Sequence, residues 1–143
     1  MAVDNVLPNS VTRRFSKLNL KNEHAIVLNA RKGIKTNIFY DFANTIKMPE
    51  KHLAELINLN SRTISNYAGK KKSFDPIPSE HLLKLIALYV RGEEIFGNLS
   101  EFTYWLQKPF WNTKESPKDW LVTPGGVDLL MDELNRLAHA YVV

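Results

Sequence analysis

The chain has 143 residues and carries 19 Lys or Arg against 15 Asp or Glu, a formal net charge of +4. This length suits one compact unit or two small subdomains, either of which buries roughly two-thirds of the unfolded surface. The absence of cysteine excludes disulfide bonds and thiolate metal sites. The sequence has no run of about 18 apolar residues and no apolar segment typical of a signal peptide, so it predicts a cytoplasmic protein without a membrane span.

The charge is divided unevenly along the chain. Residues 1–72 hold 13 Lys or Arg against 5 Asp or Glu, a net charge of +8, whereas residues 73–143 hold 6 against 10, a net charge of −4. A basic half attracts phosphate and speeds association with nucleic acid. An acidic half is unsuited to lie on DNA and more naturally faces a protein. The pattern therefore predicts two different partners.

Residues 1–21 are polar and basic and predict a mobile arm. They contain a Pro-Asn-Ser sequence at 8–10, followed closely by Arg13, Arg14 and Lys17. Such an arm can contact the DNA backbone or a groove, or it can be an ordinary disordered terminus. The sequence leaves both alternatives open.

Two helices are predicted in the next segment. The first covers residues 23–32, turns Ile26 and Val27 inward and stops at Gly33. The second begins at Thr36, which can cap it. Its inward face is formed by four apolar residues at helical spacing, Ile38, Phe39, Phe42 and Ile46.

Residues 50–69 match a helix-turn-helix, in which a short helix, a tight turn and a second helix pack at a steep angle. Ala54 falls where the two helices approach most closely. Asn58 falls at the turn position that often needs a positive φ, which Gly and then Asn tolerate best. A plain helical hairpin of the core is the alternative. The predicted inward residues are Leu53, Ile57, Leu59, Ile64 and Tyr67.

The second helix of this unit, residues 61–69, is the candidate recognition helix. With Ile64 and Tyr67 turned inward, its outer face is rich in Arg, Asn and hydroxyl side chains. Arg can form two hydrogen bonds with guanine, Asn can do so with adenine, and short hydroxyls reach bases or phosphates. Asn60 or Ser61 also caps the helix, so one of them can be purely structural.

Three lysines at positions 70–72 follow this helix. They can be solvated side chains that favourably meet the negative end of the helix, or they can contact phosphate. The predicted DNA-contacting residues are Asn60, Ser61, Arg62, Thr63, Ser65, Asn66, Lys70, Lys71 and Lys72.

A long helix is predicted from Ser79, after a loop that contains two prolines. It is apolar around most of its girth, which is typical of a central core helix. Gly97 and Asn98 end it. Asn98 with Glu101 resembles a capping box that opens a further helix, and Pro109 closes that helix.

The last predicted helix covers residues 126–141, after a loop at 110–120. No strand pattern and no internal repeat are found, so the sequence predicts an all-α fold. The apolar residues of the last helix are spaced 3, 4, 3 and 4 apart: Val127, Leu130, Leu134, Leu137 and Tyr141.

Patterns typical of enzymes are weak. Asp128, Asp132 and His139 share one face of the last helix, but a solvent-exposed face with an Asp132–Arg136 ion pair explains them more simply. The sequence predicts a non-enzyme that uses no cofactor, metal or small-molecule substrate. The four histidines, which form no zinc-binding spacing, are His24, His52, His81 and His139.

Six aromatic residues cluster near the Pro109 loop. They can form a ligand-binding box, but a core or a subunit interface is the favoured interpretation, because aromatic residues dominate both. The residues are Phe102, Tyr104, Trp105, Phe110, Trp111 and Trp120.

From Arg31 onward, the chain resembles the Xre-type antitoxins that carry a C-terminal toxin-binding domain and are paired with RES-domain toxins, the Xre/MbcA/ParS-like family. The order of the shared elements over about 110 residues carries the resemblance. The chain departs from the family at FWNTKES, residues 110–116, where members often have Asn and a Gly-rich turn, and at His139-Ala140, where they often have His-Gly. The shared elements are RKGI at 31–34, LAELINLNSRTISNY at 53–67, IFG at 95–97, Trp105-Leu106 before Pro109, Pro117 with Trp120-Leu121, and a Gly before the final helix.

The resemblance implies a type II antitoxin. Such a protein would dimerise, bind a RES toxin that degrades NAD, block the active site of that toxin, and repress its own operon through the helix-turn-helix. The implied division is a flexible basic arm at 1–21, an Xre-like helix-turn-helix domain at 22–78, a connecting core helix at 79–97, and a toxin-binding and dimerisation domain at 98–143.

The last helix and its terminus are the candidate toxin contacts. A site that consumes NAD must hold an anionic pyrophosphate, so it presents cationic and amide donors that an acidic segment ending in a carboxylate can cover. Alternatively, Tyr141 and Val142 belong to the protein's own core. The candidate contacts are Arg136, His139, Tyr141, Val142 and Val143.

Two rival functions remain. One is a stand-alone dimeric helix-turn-helix repressor that answers to a small molecule. The other is a nucleoid or RNA-binding helical protein, which would bind with little sequence preference.

Overall fold

The computed structural model describes residues 10–142, and for Tyr141 and Val142 it describes the backbone alone. Within this range the chain forms eight α-helices and one 3₁₀ helix and no strand, which confirms the predicted all-α fold. No helix of this range is both long and apolar enough to cross a membrane. The elements are α1 (Val11–Arg14), α2 (Glu23–Lys32), α3 (Thr36–Thr45), α4 (Glu50–Leu56), α5 (Ser61–Gly69), α6 (Pro76–Phe96), α7 (Leu99–Gln107), the 3₁₀ helix (Pro117–Trp120) and α8 (Pro124–Val142).

Helix α6 is the centre of the molecule, as its apolar composition predicts. It packs against α1, α2, α7 and α8. The helix begins at Pro76 rather than at Ser79, because the first turn of a helix has no acceptors for its N–H groups and so tolerates proline. Its fully buried aliphatic residues are Leu82, Leu83, Leu85, Ile86 and Leu88.

The predicted helix ends are mostly correct. Asn98 accepts a hydrogen bond from the backbone N–H of Glu101 at the start of α7, and Gly97 ends α6 in the left-handed region. Thr36 does not cap α3: it is the first helical residue, and no side chain caps that helix. The last helix begins at Pro124, two residues earlier than predicted. The loop after Pro109 contains an unpredicted 3₁₀ helix.

The segment at 10–18 is folded against α6, which corrects the prediction of a mobile arm for these residues. Val11 and Phe15 are buried one helical turn apart. The buried carboxylate of Glu93 on α6 accepts hydrogen bonds from the Ser10 hydroxyl and from the backbone N–H groups of Val11 and Thr12. This carboxylate therefore satisfies donors at the start of α1 that a free arm would leave to water. Residues 1–9 of the predicted arm lie outside the described residues.

The Glu93 carboxylate makes stability depend on pH. Burial alone would raise the pKa of Glu93, but hydrogen bonds from Thr12, Ser10 and Val11 outweigh burial and lower that pKa below its ordinary value of 4.5. The stabilisation is therefore fully present above 4.5 and is lost as the pH falls through the pKa of the folded state.

We expect Glu93→Gln to lower the free energy of unfolding at pH 7. On acidification, the free energy of unfolding should decrease less in this variant than in the unmodified protein. Urea titrations at pH 7 and pH 4 measure both effects. The control is Glu94→Gln, whose side chain is half exposed. Equal losses on acidification in the unmodified protein and in Glu93→Gln would contradict the role of this carboxylate.

Candidate nucleic-acid interface

Helices α4 and α5 are two short helices joined by a tight turn within residues 50–69, where the sequence predicts a helix-turn-helix. Ala54 is fully buried, and the two helices pack against each other and against α3. The backbone N–H of Leu59 donates to the carbonyl of Ala54 at 2.9 Å, which closes the turn after α4. Asn58 has a φ of 61°, so the predicted positive φ at this position is confirmed.

Asn60 holds the start of α5. Its side-chain oxygen accepts a hydrogen bond from the backbone N–H of Thr63 at 2.8 Å. Asn60 is therefore the cap, and Ser61 is the first residue of the helix. Of the two capping candidates, Asn60 has the structural role, and the Ser61 side chain remains exposed on the outer face.

The outer face of α5 is polar and exposed, as predicted. Ile64 is buried and Tyr67 is half-buried on the inner face, which fixes the rotation of the helix. Thr63 is half-buried at the edge of the outer face. Arg62 makes no ion pair with any described residue, so its guanidinium is available to a partner. The exposed residues of this face are Ser61, Arg62, Ser65 and Asn66.

The lysines at 70–72 extend the exposed polar surface beyond the end of α5. Lys72 Nζ lies 4.5 Å from the centroid of the Tyr67 ring, a cation–π contact that steadies this side chain. The Lys72 backbone N–H donates to the Tyr67 carbonyl at 2.8 Å, and Lys71 takes a φ of 54° in this turn. The turn thus has a defined conformation, while Lys70 and Lys71 are exposed and form no ion pair within residues 10–142.

The aromatic residues of the C-terminal half fall into separate groups and do not form one box. Phe102 is fully buried and packs against Phe96 and Trp105 in the core. Phe110 packs against Trp120. Tyr104 and Trp111 are 65% and 89% exposed and are the members of the set that a partner can reach. The sequence pattern missed Phe96 because it lies on a different helix.

One polar residue of α8 forms an ion pair with the central helix α6. Asp128 pairs with Lys84 of α6 at 2.9 Å, so it does not simply face solvent. Burial alone would lower the pKa of Lys84, but the carboxylates of Asp128 and Glu80 outweigh burial and raise that pKa, which keeps the pair ionic. Arg136 pairs with Glu133 in place of the predicted Asp132.

The candidate toxin contacts lie at the end of α8. Arg136 and His139 are exposed on that helix. The backbone of Tyr141 and Val142 is helical, and Val143 lies outside the described residues.

No family model and no curated protein matches the sequence. The resemblance to Xre-type antitoxins therefore stays a prediction.

Proposed function

We propose that this protein is the antitoxin of a type II toxin–antitoxin system and acts in the cytoplasm. It binds operator DNA as a homodimer through α5. It inhibits a RES-type, NAD-degrading toxin through residues 98–143, and it uses no cofactor. The outer face of α5 is the observation that carries this proposal.

The chemistry of that face suits a DNA groove. A buried Ile64 and a capped helix start hold α5 firmly, so its outer side chains are presented on a rigid element. Arg62 and Asn66 are exposed one turn apart and are the residue types that pair with guanine and adenine. Lys70 and Lys71 follow at the helix end, where ammonium groups suit phosphate oxygens.

The proposed toxin surface is supported by different features. Residues 73–143 carry a net charge of −4, which disfavours DNA. Tyr104 and Trp111 are large aromatic residues left exposed in this half, and such residues dominate the binding energy of protein interfaces. Both observations favour a protein partner there.

Two substitutions separate base contacts from phosphate contacts. We expect Arg62→Ala to weaken operator binding by about 1–3 kcal/mol and to relax preference at one base pair. We expect Lys71→Ala to weaken binding to all sequences alike. The slope of log affinity against log salt concentration should become smaller in magnitude by about one unit. Titration of duplexes from upstream of the gene, at several salt concentrations, measures both, and two half-sites about 34 Å apart or a multiple of that are expected.

Lys114→Ala is the matched control, because Lys114 is an exposed cation of the acidic half. It should leave affinity and salt dependence unchanged. If Arg62→Ala and Lys71→Ala both bind as the unmodified protein does, α5 has no part in DNA binding.

A stand-alone repressor that answers to a small molecule is the second candidate, and a cleft favours it. The cleft has a volume of about 640 Å³ and lies between residues 12–26 and the pair α6 and α8. Its apolar lining includes Phe15, Val90 and Met131. This volume lies within the range of small-molecule pockets. Operator release by an added small molecule, with no inhibition of any RES toxin, would favour this candidate over the antitoxin.

A further inference from the structure

Two basic stretches that are distant in the sequence meet at the carboxyl end of α5. One is residues 31–35, RKGIK, at the end of α2. The other is residues 70–72, three consecutive lysines. The sequence pattern assigns the second stretch to DNA and gives no such role to the first.

A buried hydrogen-bonded junction holds the two stretches together. The Phe74 backbone N–H donates to the Ile34 carbonyl at 2.9 Å. The Ser79 hydroxyl accepts from the Ile34 N–H at 2.9 Å and donates to the Phe74 carbonyl at 3.2 Å. All three residues are buried, so water does not compete for these bonds. The relative position of the two stretches is therefore fixed.

Gly33 allows the close approach. A Cβ atom at this position would lie 2.8 Å from the Phe74 carbonyl oxygen and 3.0 Å from the Ser73 Cβ, and Gly33 has a φ of 83°. Only glycine fits both the conformation and the space. Lys32 directly precedes Gly33, and Lys72 directly precedes Ser73, so the two stretches lie side by side.

The meeting point concentrates positive charge. Residues 31–35 together with 69–75, which include the second stretch and its neighbours, hold six cations and one acidic residue, Asp75, and so carry a net charge of +5. All six cations are exposed, and none makes an ion pair with any residue from 10 to 142. Such a concentration repels itself unless an anion lies near it. The six residues, called the α2–α5 basic patch below, are Arg31, Lys32, Lys35, Lys70, Lys71 and Lys72.

We propose that the α2–α5 basic patch binds the phosphate backbone of nucleic acid beside the groove that α5 enters, with Arg31, Lys32 and Lys35 as contacts in addition to the lysines. This inference rests on the proposed function and extends its interface to α2. Phosphate contacts fix the position of a protein on the duplex without reading sequence. The patch therefore adds affinity and orientation, while the outer face of α5 supplies specificity.

The salt dependence of binding tests the patch in the full-length protein. Arg31→Ala combined with Lys35→Ala removes two phosphate contacts, so the log–log salt slope should fall by about two units. The ratio of the affinity at 50 mM salt to that at 200 mM salt should then be about twelve times smaller for this variant than for the unmodified protein. The fall should be the same for an operator duplex and for a scrambled duplex. Lys35→Arg, which keeps the charge, should keep the original slope.

A matched control removes two exposed cations elsewhere. Lys114→Ala combined with Lys118→Ala makes the same change in net charge in the acidic half and should leave the slope unchanged. If the variant at Arg31 and Lys35 has the same salt slope as the unmodified protein, the proposed role of the patch is wrong, while the proposed function is unaffected. Loss of preference for the operator, without a change in slope, would also overturn the patch. No binding by the unmodified protein at 50 mM salt would overturn the proposed function and the patch together.

Discussion

Gly92→Ala is expected to destabilise the protein by about 3 kcal/mol or more, which is the upper range for overpacking a core. A Cβ atom at this position of α6 would lie 2.2 Å from Cδ1 and 2.4 Å from Cε1 of Phe102. The Phe102 ring cannot withdraw easily, because it is fully buried and packs against Tyr89 and Trp105. Relief of the clash therefore requires α7 to move away from α6.

Urea unfolding followed by far-ultraviolet circular dichroism measures this effect. Gly69→Ala and Gly125→Ala are matched controls, since an added Cβ meets no other atom within 4 Å at either position. Both controls should be as stable as the unmodified protein or more stable by up to about 1 kcal/mol. An unchanged unfolding midpoint for Gly92→Ala would contradict the close packing of α7 on α6.

This packing has a consequence for separating the two proposed activities. Removal of the chain beyond residue 97 would delete Phe102, Leu106 and Leu130, which are buried residues of the two helices, α7 and α8, that pack against α6. Such a fragment would expose a continuous apolar surface. Loss of toxin binding by the fragment could then result from this disrupted core and not from the loss of a toxin-binding surface. Substitutions at exposed residues test the division of labour better than truncation does.

Local chemistry explains why the sequence predicts the α4–α5 unit well. Ala54 at the close approach, Asn58 at a positive φ and Asn60 as a cap each follow from requirements within a few residues. The same holds for the glycine end of α6 and the asparagine cap of α7. In these places the residue type and the backbone conformation depend directly on each other.

Contacts between distant parts of the chain account for what the sequence does not predict. The segment at 10–18 looks like a polar arm because Glu93, which holds it, lies more than 80 residues away. The junction of Ile34, Phe74 and Ser79 has no local sequence pattern either. The sequence therefore does not predict that the basic residues at 31–35 lie beside those at 70–72. The partner of Asp128 is likewise on another helix. Tertiary structure alone brings these groups together.

The second large effect concerns the end of α8. We expect a protein lacking residues 140–143 to bind a RES toxin but to protect NAD no longer, because these residues belong to the segment proposed to obstruct the toxin's NAD site. The truncation retains Leu134 and Leu137, the last described apolar residues that face the core on α8. His139→Ala and Arg136→Ala are companion variants that leave the backbone intact.

Circular dichroism separates this outcome from a structural one. Loss of helix content and of cooperative unfolding on removal of residues 140–143 would show that Tyr141 and Val142 belong to the core. Full protection of NAD at unchanged affinity for the toxin would show that the terminus does not obstruct the toxin.

The central claim is that one chain serves two partners through separate surfaces. NAD measurement in the presence of a RES toxin, which the proposal expects to be encoded beside the gene, tests this claim most directly. The full-length protein should form a complex with that toxin and preserve NAD. Arg62→Ala should preserve NAD equally well while losing operator affinity, since Arg62 lies on α5 and outside the proposed toxin surface. Continued NAD loss in the presence of an excess of the folded full-length protein would contradict the antitoxin function.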